Sequence, residues 1–299
     1  MNEAIAAAIE SAVGRWQTTS QVADRTGSQV WCATLVTGVK VAIKISLGAG
    51  DQGLMAAREA EAIRMAGPAA GRVLGTGTLP DGGSWLVTPW WHGPTLAVEL
   101  ARLRDQADDP AARTTMARRA AEAATALSEL HETGWSHGAV RTHHVIHTPH
   151  GTRLVDLSFA YCPTVRLRRH FGRFPLDVPD RWVHVEAPEI ARRLQAKVPA
   201  APTPAADVYA LAADVWRGWT GVWPVDYQAA GVDAEDPAAV RGAVASGMWR
   251  RTVDPLGWKA FEVLLETALA SQPTSRPTAA VFAHALSYLA EFEAGHADD

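Results

Sequence analysis

Cysteine is almost absent from this chain, which has Cys32 and Cys162 and no others. That excludes a disulfide framework and any CxxC metal pattern, and it fits a reducing compartment, so a cytoplasmic location is expected. No run of about 18 apolar residues occurs, and so no membrane-spanning helix is expected. Residues 1–16 carry acidic residues and no basic stretch followed by an apolar run, which does not read as a secretory signal. A large charge of one sign is missing too. The formal net charge is -4, which gives no bias toward nucleic acid or an anionic membrane, and neither is expected as a partner. What is present is ordinary globular composition, 47% hydrophobic and 20% charged, over 299 residues, enough for one two-lobed unit or two close domains. The twelve tryptophans are many for this length. Most are expected in a core, and some could mark a protein contact surface.

The pattern along the chain changes once. Residues 4–13 suggest a short helix, ahead of any strand signal. From about 21 to 46 the pattern is strand-like, with Thr37-Gly38 as a turn. Residues 54–65 read as a helix with Leu54, Ala57, Ile63 and Met65 as apolar contacts, ended by Gly67-Pro68. Two more strands follow, joined at Asp81-Gly82-Gly83. Beyond Thr95 comes an alanine-rich helix over 112–132, a small hairpin turning at Pro149-His150-Gly151, a loop over 158–186, and helices near 207–218, 237–246, 256–270 and 277–292. The expected organisation is an N-terminal helical extension (1–20), a small sheet-based lobe (21–91) and a larger, mainly helical lobe (92–299). The fold class is α+β.

Several short motifs then stand in a particular order. Lys44 ends the strand Val41-Ala42-Ile43-Lys44, and Glu59 lies in the following helix. A strand lysine paired with a helix glutamate can hold the phosphates of a nucleotide, although a lone lysine could equally snorkel to the surface. His137-Gly138-Ala139-Val140-Arg141-Thr142-His143-His144 follows the long helix, Asp156-Leu157-Ser158 follows the hairpin, and Ala187-Pro188-Glu189, Asp207 and Ser275-Arg276-Pro277-Thr278 come after. In this order and spacing the chain resembles the protein kinases, in particular the bacterial Ser/Thr type, over roughly 20–292. The resemblance implies a bilobal fold, with an antiparallel small lobe carrying one helix and a helical large lobe. It implies Lys44 as the phosphate-contacting lysine, Glu59 as its partner and Asp156 as the metal-binding aspartate. Glu189 would pair with Arg276, and Asp207 would brace the catalytic-loop backbone. Thr88-Pro89-Trp90-Trp91 corresponds to the hinge, where the Pro89 carbonyl and the Trp91 amide would read adenine, with Thr88 as gatekeeper. ATP, with magnesium or manganese, is the implied cofactor.

The departures from that pattern decide the expected function. Ala139 stands where the family has its catalytic aspartate, and a methyl group cannot orient a substrate hydroxyl or accept its proton, help worth about 10²–10⁴ in rate. His144 stands where an asparagine holds the second metal. Imidazole suits softer metals than magnesium, so a weakened second metal site is expected there. Arg141 replaces a lysine and keeps its charge, and His137 is retained. Of the glycine-rich loop only Gly27 remains, slightly out of register, so the roof over the phosphates is expected to be altered. Gly138 resembles the small-molecule kinases instead.

Other clusters carry less. Five histidines, His137, His143, His144, His147 and His150, fall within 14 residues. A zinc site is conceivable, but an adjacent pair on an extended segment would point apart. Arg166, Arg168, Arg169, His170 and Arg173 form either a solvated loop or a patch for an acidic peptide. Trp216, Trp219 and Trp223 are core or partner surface. The leading expectation is a pseudokinase that binds ATP and works by binding a protein or peptide partner. The alternatives are an unconventional phosphotransferase on Ser/Thr, possible as a subunit of a bacterial peptide-modifying complex, and a small-molecule kinase.

Overall fold

A computed structural model describes residues 1–25, 27–165, 180–247 and 257–296. Among them, 1–91 with 156–165 make one compact unit, and the remainder makes a second. The fold is α+β: nine α-helices, a five-stranded antiparallel sheet and a two-stranded sheet among the described residues. No helix among them is long and apolar enough to cross a membrane.

The first unit opens with α1 (Glu3–Val13), capped by Asn2, whose side chain accepts the Ala4 N–H at 2.8 Å. Strands β1 (Trp16–Arg25), β2 (Ser28–Leu35), β3 (Lys40–Ser46), β4 (Gly75–Thr78) and β5 (Ser84–Pro89) pair in the order β1-β2-β3-β5-β4. Period-2 alternation along β3 sends Val41, Ile43 and Ile45 into a core with Ile9 of α1, Ala33, Trp85 and Val87, and puts Lys44 on the opposite face. Gly75 and Gly77 let Trp85 lie flat on β4. A Cβ at Gly77 would come within 2.7 Å of the indole.

Helix α2 (Met55–Ala66) has no side-chain N-cap of its own, and two strand serines do that work. Ser46 Oγ accepts from the Ala56 N–H and Ser84 Oγ from the Ala57 N–H, both at 3.1 Å. This anchorage sets the helix rotation. The buried face carries Arg58, Glu59, Ala62 and Ile63, while Met65, expected as an apolar contact, is 55% exposed.

In the second unit, α3 (Leu96–Arg104) and the long α4 (Pro110–Glu132) precede the hairpin β6 (Val145–Thr148) and β7 (Gly151–Leu154). Helices α5 (Pro188–Gln195), α6 (Pro204–Thr220), α7 (Pro237–Ser246), α8 (Lys259–Ala268) and α9 (Ala279–His296) follow. Proline opens α4, α5, α6 and α7, where a missing N–H does no harm, and the side chains of Asp109, Thr203 and Asp236 cap three of these four. Helix α6 buries residues around most of its circumference, including Trp216 and Trp219, and so is the central helix of this unit. Those two tryptophans are core. Trp223 is half-buried against His184.

Candidate functional site

Lys44, Glu59 and Asp156, which are 15 and 112 positions from one another along the chain, meet in the first unit. Lys44 Nζ lies 2.7 Å from Glu59 Oε2 and 2.5 Å from Asp156 Oδ1. Burial alone would lower the lysine pKa, but the two carboxylates outweigh it and hold the ammonium above its ordinary value. Asp156 has φ 65° and ψ 59°, a left-handed conformation that few non-glycine residues take, and one that clusters at functional sites.

Two neighbours that the sequence reading did not place in the site complete it. Ser158 Oγ accepts from Lys44 at 2.6 Å and lies 2.6 Å from Asp156 Oδ1. Arg58, 2% exposed, donates from Nε to the Ser158 carbonyl at 2.9 Å and from Nη2 to the Ala160 carbonyl at 3.1 Å. Burial lowers its pKa to about 10. Glu59 Oε1 also accepts the Leu157 N–H at 3.2 Å. The sequence signals were a serine in the third place of the Asp156 triplet and an arginine next to Glu59.

The other expected nucleotide contacts of this unit lie at the end of β5. Pro89 is its last residue, paired with Val41, and Trp91 follows two positions on. The Trp90 N–H bonds the Lys40 carbonyl at 3.2 Å. At the other end of the sheet β1 and β2 stay paired up to Arg25 and Ser28, so only residues 26–27 join them, with Gly27 at φ 77°.

In the second unit the segment 137–144 is held by two buried aspartates. Asp207 accepts the His137 N–H at 2.7 Å and the Gly138 N–H at 2.9 Å, and lies 3.0 Å from His131 Nε2. Gly138 has φ 73°, so glycine here serves the backbone, which cradles a carboxylate with two successive N–H groups. Asp214, which the sequence reading passed over, accepts from Thr142 N at 2.6 Å, from Thr142 Oγ1 at 2.8 Å and from Arg141 Nη2 at 3.2 Å.

His137, Ala139, Val140, Thr142 and His144 of this segment are buried. Ala139 is 4% exposed. Its N–H donates to His137 Nδ1 at 3.2 Å, which puts the ring proton on Nε2, 3.1 Å from the Val155 carbonyl. His144 is buried and spends Nδ1 on the Ala139 carbonyl at 2.8 Å. His143 and His144 do not point apart as expected. They sit in a 3-10 turn over Thr142–His144 rather than an extended segment, and their rings meet edge to face at 4.1 Å. His147 lies between carboxylates, 3.0 Å from Glu122 and 3.5 Å from Glu99. Among the described residues, no three His, Cys, Asp or Glu side chains are grouped to hold a metal ion. Glu189 and Arg276 form the expected pair, at 2.7 and 2.8 Å. The basic run Arg166, Arg168, Arg169, His170 and Arg173 lies outside the described residues.

Near Ala139 a cavity of about 60 Å³ is lined by Ala139, Arg141, Trp182, Ile190, Pro202 and Ala206, among others. Close by in sequence, His184 stacks on Trp223 at 4.6 Å and bonds the Tyr227 hydroxyl at 2.9 Å. Burial, with the Arg141 and Arg217 charges, holds His184 down at about 4. The unfolded chain therefore binds a proton that the folded chain refuses between roughly pH 6.5 and 4. His184's contribution to stability is complete above that window and is lost as pH falls through it. Urea midpoints at pH 7, 5.5 and 4.5 are expected to fall less for His184→Gln than for the parent. Parallel declines would exclude this histidine as the cause.

No protein-family model matches the chain, and no curated protein matches it.

Proposed function

We propose that this chain is a catalytically impaired, protein kinase-like protein that binds ATP through Lys44 and Asp156 and acts by binding a protein or peptide partner. The observation that carries the reading is the assembly of Lys44, Glu59 and Asp156 around one ammonium, with Asp156 in a left-handed backbone conformation. The cation suits phosphate oxygens and the Asp156 carboxylate suits magnesium or manganese. His144 suits a second metal poorly, since it is buried and spends Nδ1 on a backbone carbonyl. When bound, ATP would supply a transferable phosphoryl group and the metal would offset its charge. Lys44 would hold phosphate, Glu59 would orient Lys44, and Asp156 would hold the metal.

Two features of the second unit support impairment. Ala139 offers a methyl group where a carboxylate would have to receive the hydroxyl proton. Arg141, which the phosphotransferase alternative needs near the transferred group, donates instead to Asp214. The bilobal kinase architecture belongs to the same proposal. It is supported by a five-stranded antiparallel sheet with α2 in the first unit, by a helical second unit, and by the Asp207 and Glu189–Arg276 contacts.

Thermal unfolding of the full chain with manganese and ATP tests the reading. Ligand at 100 times its Kd stabilises by about 2.7 kcal/mol. The midpoint is expected to rise for the parent and to stay flat for Lys44→Met, with no phosphate transferred to partner or peptide. A parent without any shift would remove the nucleotide. Brisk transfer from labelled ATP, lost in Asp156→Asn, would remove the impairment.

A further inference from the structure

We propose that the Ser158 hydroxyl is a built-in competitor for the nucleotide site, occupying the Lys44 and Asp156 positions that a metal–phosphate ligand must take. This rests on the nucleotide reading given above and adds a restraint on it.

An ammonium group has three N–H bonds. Lys44 has three acceptors close by: Glu59 Oε2 at 2.7 Å, Asp156 Oδ1 at 2.5 Å and Ser158 Oγ at 2.6 Å. The lysine is saturated from within its own unit. The serine proton has two carboxylates in range, Asp156 Oδ1 at 2.6 Å and Glu59 Oε2 at 3.2 Å, and the shorter contact closes a ring of Lys44, Ser158 and Asp156. Hydrogen bonds to charged partners are the strong ones. A phosphate oxygen arriving at Lys44, or a cation arriving at Asp156 Oδ1, therefore has to break a bond that the hydroxyl already makes.

The hydroxyl is also held in place. Ser158 is 1% exposed. Two consecutive residues of α2 fix the backbone around it: Glu59 accepts the Leu157 N–H, and Arg58 donates to the Ser158 and Ala160 carbonyls. These bonds are made by the backbone of 157–160, so they survive removal of the serine side chain. Among the described non-glycine residues, Asp156 and Lys197 alone have positive φ, so alanine fits at 158 without backbone strain. Ser158→Ala thus removes the competitor and leaves the frame.

The experiment compares the full-length parent, Ser158→Ala and Ser158→Gly by calorimetric titration with manganese and ATP. Both variants are expected to bind at least about tenfold more tightly than the parent, since a bond to a charged group is lost from the free state alone. A second readout needs no ligand. The chain has four lysines, Lys40, Lys44, Lys197 and Lys259, so ¹⁵N-lysine labelling gives few ammonium signals. The Lys44 ammonium protons are expected to exchange with water faster in Ser158→Ala, which a purely packing role for the serine would not produce. Equal or weaker binding by the variants, with the parent binding measurably, overturns this proposal and leaves the nucleotide reading standing. No binding by any of the three overturns both.

Discussion

Asp207→Ala is expected to remove roughly 2–5 kcal/mol from the stability of the second unit, a large part of what a domain of ordinary stability has. Its carboxylate is buried and accepts the successive N–H groups of His137 and Gly138, with His131 alongside. Removing it strands two backbone donors, and each buried donor left unpaired costs about 1–3 kcal/mol. Asp207→Asn keeps the shape but turns an amide NH₂ toward one of the donors, so it should lose nearly as much. Urea unfolding followed by tryptophan fluorescence reads the result, because Trp216 and Trp219 lie on the same helix α6 as Asp207. A loss below about 1 kcal/mol in Asp207→Ala would mean that water replaces the carboxylate and that the 137–138 backbone does not depend on it.

Asp207 and Asp214 of α6 show where sequence reading succeeds and where it stops. Asp207 was legible because it belongs to an ordered series of motifs, and Lys44 because period-2 alternation along Val41, Ile43 and Ile45 fixes which face it takes. Asp214 lies two helical turns beyond Asp207 on α6 and braces Thr142 and Arg141 through bonds that follow no sequence period. Arg58 was illegible for the same reason, since its acceptors are two backbone carbonyls about 100 positions away. Strand β1 begins at Trp16, ahead of the expected strand signal near 21. Most of its residues are exposed and two register shifts interrupt its pairing, so no alternation marks it. Helix α5 was read as the motif Ala187-Pro188-Glu189, although proline at its first position is a helix-start signal. The rotation of α2 turned on two serines in strands, which is why Met65 was assigned inward and Arg58 was not.

Arg276→Ala is expected to cost about 3–5 kcal/mol, the range for breaking a buried ion pair from one side. Both guanidinium terminal nitrogens meet Glu189, at 2.7 and 2.8 Å. The remaining contacts go to the carbonyls of Ala270, Ala205 and Ser271, and the guanidinium carbon sits 4.9 Å from the centre of the Tyr209 ring. The Arg276 side chain is 0% exposed, so water cannot take over these acceptors without opening the packing between α5, α6 and the 270–276 segment. Arg276→Lys keeps the charge and loses the planar fork, and should recover less than half of the loss. A double-mutant cycle with Glu189→Gln separates the pair from the carbonyl contacts. A coupling of about 1–3 kcal/mol is expected if the fork itself stabilises the unit. Full stability in Arg276→Lys, with no coupling to Glu189, would show that a point charge suffices at this position and would remove the geometric argument for the pair.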